Sequence, residues 1–189
     1  MSRRGYVSIL INRLTPAYGV YCILPPTSLL LKIANPSLHN KLCIFNVYNE
    51  VVTDILSDLE EAIGEIDSDH ELIVLGDFNL HHPLWSIMHC HANRGIPAAQ
   101  LLLIIIKDSN LQPLTVLGTP THRWKDGEIT IDLTFASVNV ASRKIYCKVD
   151  PSLDCDSEHL LIAITIDWSW QLTTPPKKQM WTKTNLLLL

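Results

Sequence analysis

The feature that most constrains the fold is a change in the spacing of apolar residues near position 50. Before it, short apolar runs rich in Val, Ile, Leu and Tyr are separated by prolines and asparagines, a pattern typical of β-strands. These runs cover residues 6–11, 19–24, 29–34 and 42–48. From 51 to 66, apolar residues recur every three or four positions between acidic ones, which predicts an amphipathic helix. The chain must therefore combine sheets with helices.

Strands and helices also alternate in the later part of the chain. Residues 97–107 suit a second helix, although their run of Ile residues also allows a buried strand. The other predicted elements are strands over 71–75, 114–117, 121–124, 128–135, 145–149 and 160–167, with a hairpin turn at 125–127. We therefore expect packed sheets flanked by helices in one α/β domain over residues 1–168, followed by a polar linker or tail over 169–189.

Composition narrows the class of protein. Of the 189 residues, 47% are hydrophobic and 18% are charged, so the chain can bury a core and intrinsic disorder is excluded. The formal net charge of −4 excludes a global basic field, so binding to nucleic acid would need a local site. The longest apolar run, residues 101–106, is far shorter than the about 20 residues of a membrane helix. Five cysteines without a CxxC pair indicate reduced thiols in a cell interior.

The strongest functional motif is the apolar strand that runs directly into Gly76-Asp77-Phe78-Asn79. Asp77 and Asn79 are two residues apart, so on an extended chain their side chains point the same way. A carboxylate can hold a metal ion or take a proton from water, and an amide can donate to a phosphate oxygen without charge repulsion. The alternative is a plain turn, because Gly, Asp and Asn are common turn formers.

Two later segments add ionisable groups. Asp132 lies in an otherwise apolar strand, and a buried carboxylate needs a partner. Glu158 and His159 directly precede the last apolar strand, and a His oriented by a carboxylate suits acid–base or phosphate chemistry. An edge-strand Asp facing water and a solvated turn are the respective alternatives.

A cluster of imidazoles and a thiol suggests a rival site. Zinc binds such ligands well, but their spacing here fits no common zinc pattern, so a solvent-facing loop is the default interpretation. The cluster consists of His81, His82, His89, Cys90 and His91.

Taken together, the motifs resemble the endonuclease/exonuclease/phosphatase superfamily, and above all the endonuclease domain of non-LTR retrotransposons. In that family a GDFN segment, a strand with Asp and an S-D-H segment before a terminal apolar strand follow one another. The matching segments are Phe45-Asn-Val-Tyr48-Asn, Gly76-Asp-Phe-Asn-Leu-His-His-Pro-Leu-Trp85, Pro120-Thr-His-Arg123, Ile131-Asp-Leu-Thr-Phe135 and Ser157-Glu-His-Leu160. Residues 177–185 resemble the segment that joins this domain to a reverse transcriptase.

The resemblance implies a four-layer αββα sandwich, in which two packed mixed sheets are flanked by helices. In the family, a strand with Asn and a strand with a metal-binding Glu come before the segment matching residues 6–11, so we expect the sandwich to be incomplete at the N-terminus. The implied activity is hydrolysis of a DNA phosphodiester with Mg²⁺ or Mn²⁺, which nicks the target of retrotransposition. The implied partners are DNA and a reverse transcriptase domain in the same polypeptide. A monomer without membrane contact, in the nucleus if active, is expected.

Residue roles also follow from the resemblance. Asp77 would activate the attacking water, Asn79 and Tyr48 would contact the phosphate, and Asp132 would hold the imidazole of His159, which stabilises charge on the phosphate. The metal would be held by Glu158 and Asp77. Nucleic acid would be contacted by Asn49, Trp85 and Arg123, with core packing as the alternative role of Trp85.

Two departures from the family pattern bear on activity. Glu158 replaces the Asp of S-D-H, and its extra methylene moves the carboxylate by about an ångström, enough to disturb a tuned site. No residue here corresponds to the metal-binding Glu, so impaired cleavage is expected. The alternatives are a catalytically inactive remnant of a mobile element and a phosphatase or RNA-cleaving member of the same superfamily.

Overall fold

The computed structural model describes residues 17–24, 28–35, 40–50, 55–86, 96–150, 152 and 157–167. This part of the chain contains ten strands and three helices. In chain order they are β1 (Ala17–Leu24), β2 (Ser28–Asn35), β3 (Asn40–Tyr48), α1 (Ile55–Gly64), β4 (His70–Asp77), α2 (Ile96–Asp108), β5 (Leu111–Pro113), β6 (His122–Trp124), β7 (Gly127–Ile129), β8 (Asp132–Ser137), α3 (Val138–Ser142), β9 (Lys144–Val149) and β10 (Ile162–Ile166).

A mixed six-stranded sheet with the strand order β1-β2-β3-β4-β8-β5 forms the centre of the fold. Strands β3 and β4 pair in parallel, and the crossover between them carries α1, as a parallel connection requires. The other pairs in this sheet are antiparallel. Two further antiparallel pairs, β9–β10 and β6–β7, lie outside it.

The two faces of the six-stranded sheet are covered differently. On one face, Phe45, Val74 and Phe135 share a buried cluster with Leu59 of α1 and Leu102 of α2. On the other face the β9–β10 pair packs through Cys147, and the buried cluster there includes Ile73, Leu114, Ala136 and Val140, with Ile164 against it. The described residues thus form a helix layer, a large sheet and a second, smaller sheet. This confirms the expected α/β class with packed sheets and flanking helices.

Most predicted elements are confirmed. The segment 97–107 is helix α2 and not a strand. The strand predicted over 114–117 is wrong: the strand is β5, which ends before Leu114 because the N–H groups of Leu114 and Thr115 both turn to the Thr134 carbonyl. Helix α3 was not predicted, whereas residues 6–11 and those after 167 lie outside the described residues.

The strand predicted over 128–135 is in fact two strands, β7 and β8. The break falls at Thr130 and Ile131, where the N–H of Ile131 donates to the Thr121 hydroxyl and not to a neighbouring strand. None of the helices in the described ranges is long and apolar enough to cross a membrane.

Candidate active site

Three neighbouring strands of the large sheet bring polar side chains into one row. Tyr48 at the end of β3 is in register with Asp77 at the end of β4, and Asp77 is in register with Asp132 at the start of β8. Register partners on neighbouring strands present their side chains to the same face. Ile73 and Leu75 lie four and two residues before Asp77 on β4, so their side chains share its face. Both pack in the cluster beneath β9 and β10, which is therefore the face that carries the row. The row therefore lies at one end of the two packed sheets.

The chain turns directly after Asp77. Asn79 has a φ of 49°, and its N–H donates to Asp77 Oδ1 over 2.9 Å, which makes an Asx turn. The expectation of an extended Asp77–Asn79 segment is therefore wrong in its local geometry. The turn and the functional interpretation are compatible, since the bond to Asn79 leaves Asp77 Oδ2 available to face the rest of the site.

Asn49, the residue directly after β3, holds this turn. Its Nδ2 donates to the Phe78 carbonyl over 2.7 Å, and its N–H donates to the Asp77 carbonyl over 2.8 Å. Only 5% of Asn49 is exposed. The sequence interpretation of Asn49 as a nucleic-acid contact is thus corrected, because a buried amide bonded to the backbone offers no surface to DNA.

His159 completes the cluster from the segment before β10. Its Nδ1 lies 3.1 Å from Asp132 Oδ1 and 3.2 Å from Oδ2, and its Nε2 lies 3.9 Å from Asp77 Oδ2. One ligand atom from each of Asp77, Asp132 and His159 lies within 4.8 Å of the others. The structure therefore brings together three of the residues singled out in the sequence, with Asn79 bonded to one of them through its backbone.

The surroundings in the site shift the pKa values of Asp77 and His159. Burial, and then the charge of Asp132, raise the pKa of Asp77 to about 6, against an ordinary value of 3.8. The hydrogen bond to Asp132 raises the pKa of His159 above its ordinary value, although burial opposes this. Asp77, whose carboxylate takes up a proton closer to neutral pH than an ordinary Asp, thus lies beside the His159 imidazole, whose charged form is stabilised.

The donor set fits a divalent cation. Two carboxylates in register repel each other, and a cation between such groups relieves that repulsion. Their oxygens are the donors that Mg²⁺ prefers. A second group, Asp67, Asp69 and His70, is less suited, because Asp69 already pairs with Lys41 at 2.7 Å and with the ring of His70 at 2.8 Å.

Two neighbouring residues of the site were missed by the sequence analysis. The Thr121 hydroxyl accepts the N–H of Ile131 over 3.0 Å and that of Asp132 over 2.9 Å, and its carbonyl accepts the N–H of Leu160 over 2.7 Å. Thr121 therefore ties the start of β8 to the segment that carries His159. The next residue, His122, places its ring centroid 4.6 Å from that of His159 at an interplanar angle of 79°. The family-like segment Pro120-Thr-His-Arg123 pointed to these two residues, but the spacing of a sequence does not reveal which hydrogen bonds their side chains make.

Thr121→Val is expected to destabilise the fold by about 2 kcal/mol or more, because two N–H groups lose their acceptor in a fully buried position. Thr121→Ser keeps the hydroxyl and is the matched control, with a smaller loss from the missing methyl group. Urea unfolding of both variants and the parent chain measures the difference. A Val variant as stable as the parent would show that the hydroxyl contributes nothing.

Three other predicted residues lie apart from the cluster. Trp85 is 2% exposed and its Nε1 donates to the Leu80 carbonyl over 2.9 Å, so it packs in the core and its prediction as a nucleic-acid contact is corrected. Glu158 is exposed, with Oε2 3.7 Å from His122 Nε2, and lies outside the group of Asp77, Asp132 and His159, so its ligand role stays a prediction. Arg123 is exposed and pairs with Glu128 at 3.0 Å, so a DNA contact stays a prediction.

The proposed zinc cluster is only partly described. His82 packs its ring against Trp85 at a centroid distance of 5.0 Å, and its Nδ1 lies 3.2 Å from the N–H of Leu84. Burial lowers the pKa of His82. His89, Cys90 and His91 lie outside the described residues. The contacts of His82 are those of a packed turn residue.

The fold is similar to those of several nucleases of known structure. Among solved structures, the fold resembles the endonuclease domain of TRAS1, a telomere-specific non-LTR retrotransposon, with a TM-score of 0.64 and 18% identity over 80% of this chain and 70% of that one. It also resembles the 3'-5' exonuclease NExo from Neisseria meningitidis, with a TM-score of 0.63 and 17% identity over 82% of this chain and 73% of that one. An AP endonuclease from Archaeoglobus fulgidus gives 0.60 and 15% over 82% and 72%. No curated protein matches the sequence.

At these identities the structural likeness shows the fold, and the family is shown by the sequence. The model of a family described as endonuclease-reverse transcriptase matches residues 42–163, which is more than half of the chain and spans Asp77, Asp132 and His159. The chain therefore belongs to the endonuclease-reverse transcriptase family, within the endonuclease/exonuclease/phosphatase superfamily of metal-dependent nucleases and phosphodiesterases.

Proposed function

We propose that this chain hydrolyses a phosphodiester bond of DNA with the help of a divalent cation and so nicks one strand. The observation that carries the proposal is the convergence of Asp77, Asp132 and His159 at one end of the packed sheets. Hydrolysis of a phosphodiester needs a group that takes a proton from water and donors that stabilise the charge developing on the phosphate. The cluster offers both within a few ångströms.

Asp77 is suited to accept the proton of the attacking water. Without a cation its pKa is raised to about 6, so the carboxylate is more basic than an ordinary Asp; a cation bound beside it would lower that pKa and also that of the water from which the proton comes. The Asx turn fixes its Oδ1 through the N–H of Asn79, so the carboxylate has a set direction. Asn79 follows Asp77 in the turn, and Tyr48 lies opposite Asp77 on β3. Both side chains would contact the phosphate oxygens.

His159 is suited to stabilise the phosphate. Because Asp132 bonds Nδ1 and raises the pKa of the ring, the charged imidazolium presents Nε2–H on the side of Asp77. An N–H donor next to the base can bond a phosphate oxygen and so offset the negative charge that develops there. Asp132 acts here by holding the ring and not by touching the substrate.

The carboxylates of Asp77 and Asp132 would hold Mg²⁺, or Mn²⁺ in its place. When bound, the cation supplies positive charge that offsets the negative charge of the phosphate and of the two carboxylates. Such local charge also accounts for DNA binding by a chain whose formal net charge is −4. Arg123, exposed on β6 and next to His122 in the chain, would contact the DNA backbone. Water would add to phosphorus as the P–O3′ bond breaks, which leaves a 5′ phosphate and a 3′ oxygen that leaves as a hydroxyl after taking up a proton; a reverse transcriptase domain of the same polypeptide would extend that 3′ end.

Incubation of the purified chain with supercoiled plasmid and Mg²⁺ tests the proposal. We expect open-circular DNA to accumulate, EDTA to prevent it, and His159→Ala to slow it by about a hundredfold or more. Labelled single-stranded RNA and a DNA oligonucleotide with a 3′ phosphate are run in parallel. Cleavage of either in place of the plasmid would reassign the substrate within the superfamily. No Mg²⁺-dependent reaction on any of the three would refute the proposed activity.

A further inference from the structure

His122 faces His159 across a short stretch of antiparallel pairing. The two residues form a β-bridge, and the backbone bonds lie on either side of it: the N–H of Arg123 donates to the Glu158 carbonyl over 2.8 Å, and the N–H of Leu160 to the Thr121 carbonyl over 2.7 Å. This pattern makes His122 and His159 a non-hydrogen-bonded pair, the arrangement that brings two opposing side chains closest. Their ring contact is thus built into the backbone.

The His159 ring has a further neighbour besides Asp132 and Asp77. Its side chain is 40% exposed, so solvent borders part of the ring and each packing contact that remains helps to set its tilt. The His122 ring, at a centroid distance of 4.6 Å and an angle of 79°, covers one side of the imidazole in an edge-to-face contact. Together Asp132 and His122 leave Nε2 on the side where Asp77 Oδ2 lies, 3.9 Å away.

The surroundings of His122 set it apart from a side chain that only fills space. Its side chain is 20% exposed, and its Nδ1 is buried with no hydrogen-bond partner among the described residues. Its Nε2 lies 3.7 Å from Glu158 Oε2, which is beyond a hydrogen bond, on a carboxylate that is 70% exposed. A buried nitrogen without a hydrogen bond destabilises the folded state, so the polar atoms of His122 make no favourable contribution to the free energy of folding. What its ring does contact is His159, and more loosely Trp124 at 5.8 Å.

We propose that His122 is a positioning residue for His159: its ring packs edge to face against the imidazole and, together with Asp132, keeps Nε2 directed toward Asp77. This inference rests on the proposed function, because it assigns His122 to the same reaction. A positioning role predicts an effect on the rate of the chemical step and little effect on DNA binding.

Single-turnover and steady-state cleavage by His122→Ala and His122→Phe provides the first test. We expect His122→Ala to lower kcat by about tenfold to a hundredfold with KM within about threefold of the parent. His122→Phe keeps an aromatic ring without nitrogens, so it is expected to restore most of kcat. If Phe were as slow as Ala, the nitrogens and not the ring contact would matter, and the proposal would fail.

A double-mutant cycle separates positioning from direct contact with the substrate. If His122 acts only through His159, adding His122→Ala to His159→Ala slows cleavage no further. The same factor in both backgrounds would overturn the proposal. Urea unfolding of each variant shows whether it is folded under the assay conditions.

Ring ¹⁵N NMR of His159 keeps the test independent of cleavage. The parent and His122→Phe are expected to show one narrow set of ring signals, with Nδ1–H directed toward Asp132 and Nε2–H present in the charged ring, and His122→Ala broadened signals from a mixture of ring orientations. Should the parent chain cleave no nucleic acid, the proposed function falls while this spectrum still decides the role of His122. A His159 spectrum that is identical in the parent and His122→Ala would refute positioning.

Discussion

Asp77→Asn is expected to slow DNA cleavage by about a thousandfold or more and, without metal, to make the protein more stable at neutral pH. The rate falls because the amide of Asn neither takes a proton from water nor carries the negative charge that holds a cation. The local turn is retained, since Asn Oδ1 can still accept the N–H of Asn79 as Asp77 Oδ1 does over 2.9 Å. Loss of activity therefore occurs without loss of the surrounding geometry, and nicking of supercoiled plasmid measures it.

The gain in stability follows from the direction of the pKa shift. The pKa of Asp77 rises from its ordinary value of 3.8 to about 6 on folding, because of burial and of the charge on Asp132. Below pH 3.8 the Asp77 carboxyl is protonated in both the folded and the unfolded chain, so it does not lower the free energy of unfolding. As pH rises toward 6 the unfolded chain releases its proton first, so the free energy of unfolding falls, by up to about 3 kcal/mol above that range. Asn has no such cost.

Urea unfolding between pH 4 and pH 8 in the presence of EDTA checks this expectation. Asp77→Asn should be more stable than the parent at pH 7 by about 1–3 kcal/mol, with the two chains converging toward pH 4. Asp150→Asn serves as the control, because bonds from Ser152 lower the pKa of Asp150 and its removal should bring no gain. A stability difference between Asp77→Asn and the parent that does not grow between pH 4 and pH 7 would contradict the shift assigned to Asp77.

Residues that carry chemistry could be predicted from the sequence where a strand boundary and a residue type coincide. Asp77 follows an apolar strand directly, Asp132 interrupts one, and His159 precedes one. The prediction of Asp77 did not depend on the local conformation that was assumed for it. The strand that carries it ends at Asp77 and the chain then turns at Asn79, yet β4 still delivers the carboxylate to the end of the sheet.

What could not be predicted depends on pairing between distant segments. That Asp77 and Asp132 are direct register partners follows from the β4–β8 ladder, which no local pattern encodes. Thr121 reads as an ordinary strand residue until its hydroxyl is seen to accept the N–H groups of Ile131 and Asp132. Asn49 and Trp85 show the opposite error: both lie in motifs of the family, and both are buried with their donors bonded to backbone carbonyls. A motif marks the residues that build a site without separating contact from support.

Gly76→Ala is expected to cost about 3–6 kcal/mol of stability, a large share of the total for a domain of this size. A Cβ at this position would lie 1.9 Å from the Val47 carbonyl oxygen and 2.8 Å from the Val47 N and C atoms. These are backbone atoms of the parallel β3–β4 ladder, so they cannot move away cheaply. The φ of Gly76 is also +141°, which side chains of L-residues rarely adopt. Relief of either strain would pull β4 from β3 and so displace Asp77 from Tyr48.

Gly64→Ala is the matched control within the same fold. Gly64 ends helix α1, and a Cβ there would meet no atom within 4 Å. Ala favours helix over Gly and restricts the unfolded chain, so this change should leave stability unchanged or raise it by about 0.5–1 kcal/mol. Urea unfolding of both variants gives the comparison, and plasmid nicking should fall for Gly76→Ala even where the variant is still folded. If the two alanine variants were equally stable, the close approach of β4 to Val47 would not be what requires glycine before Asp77.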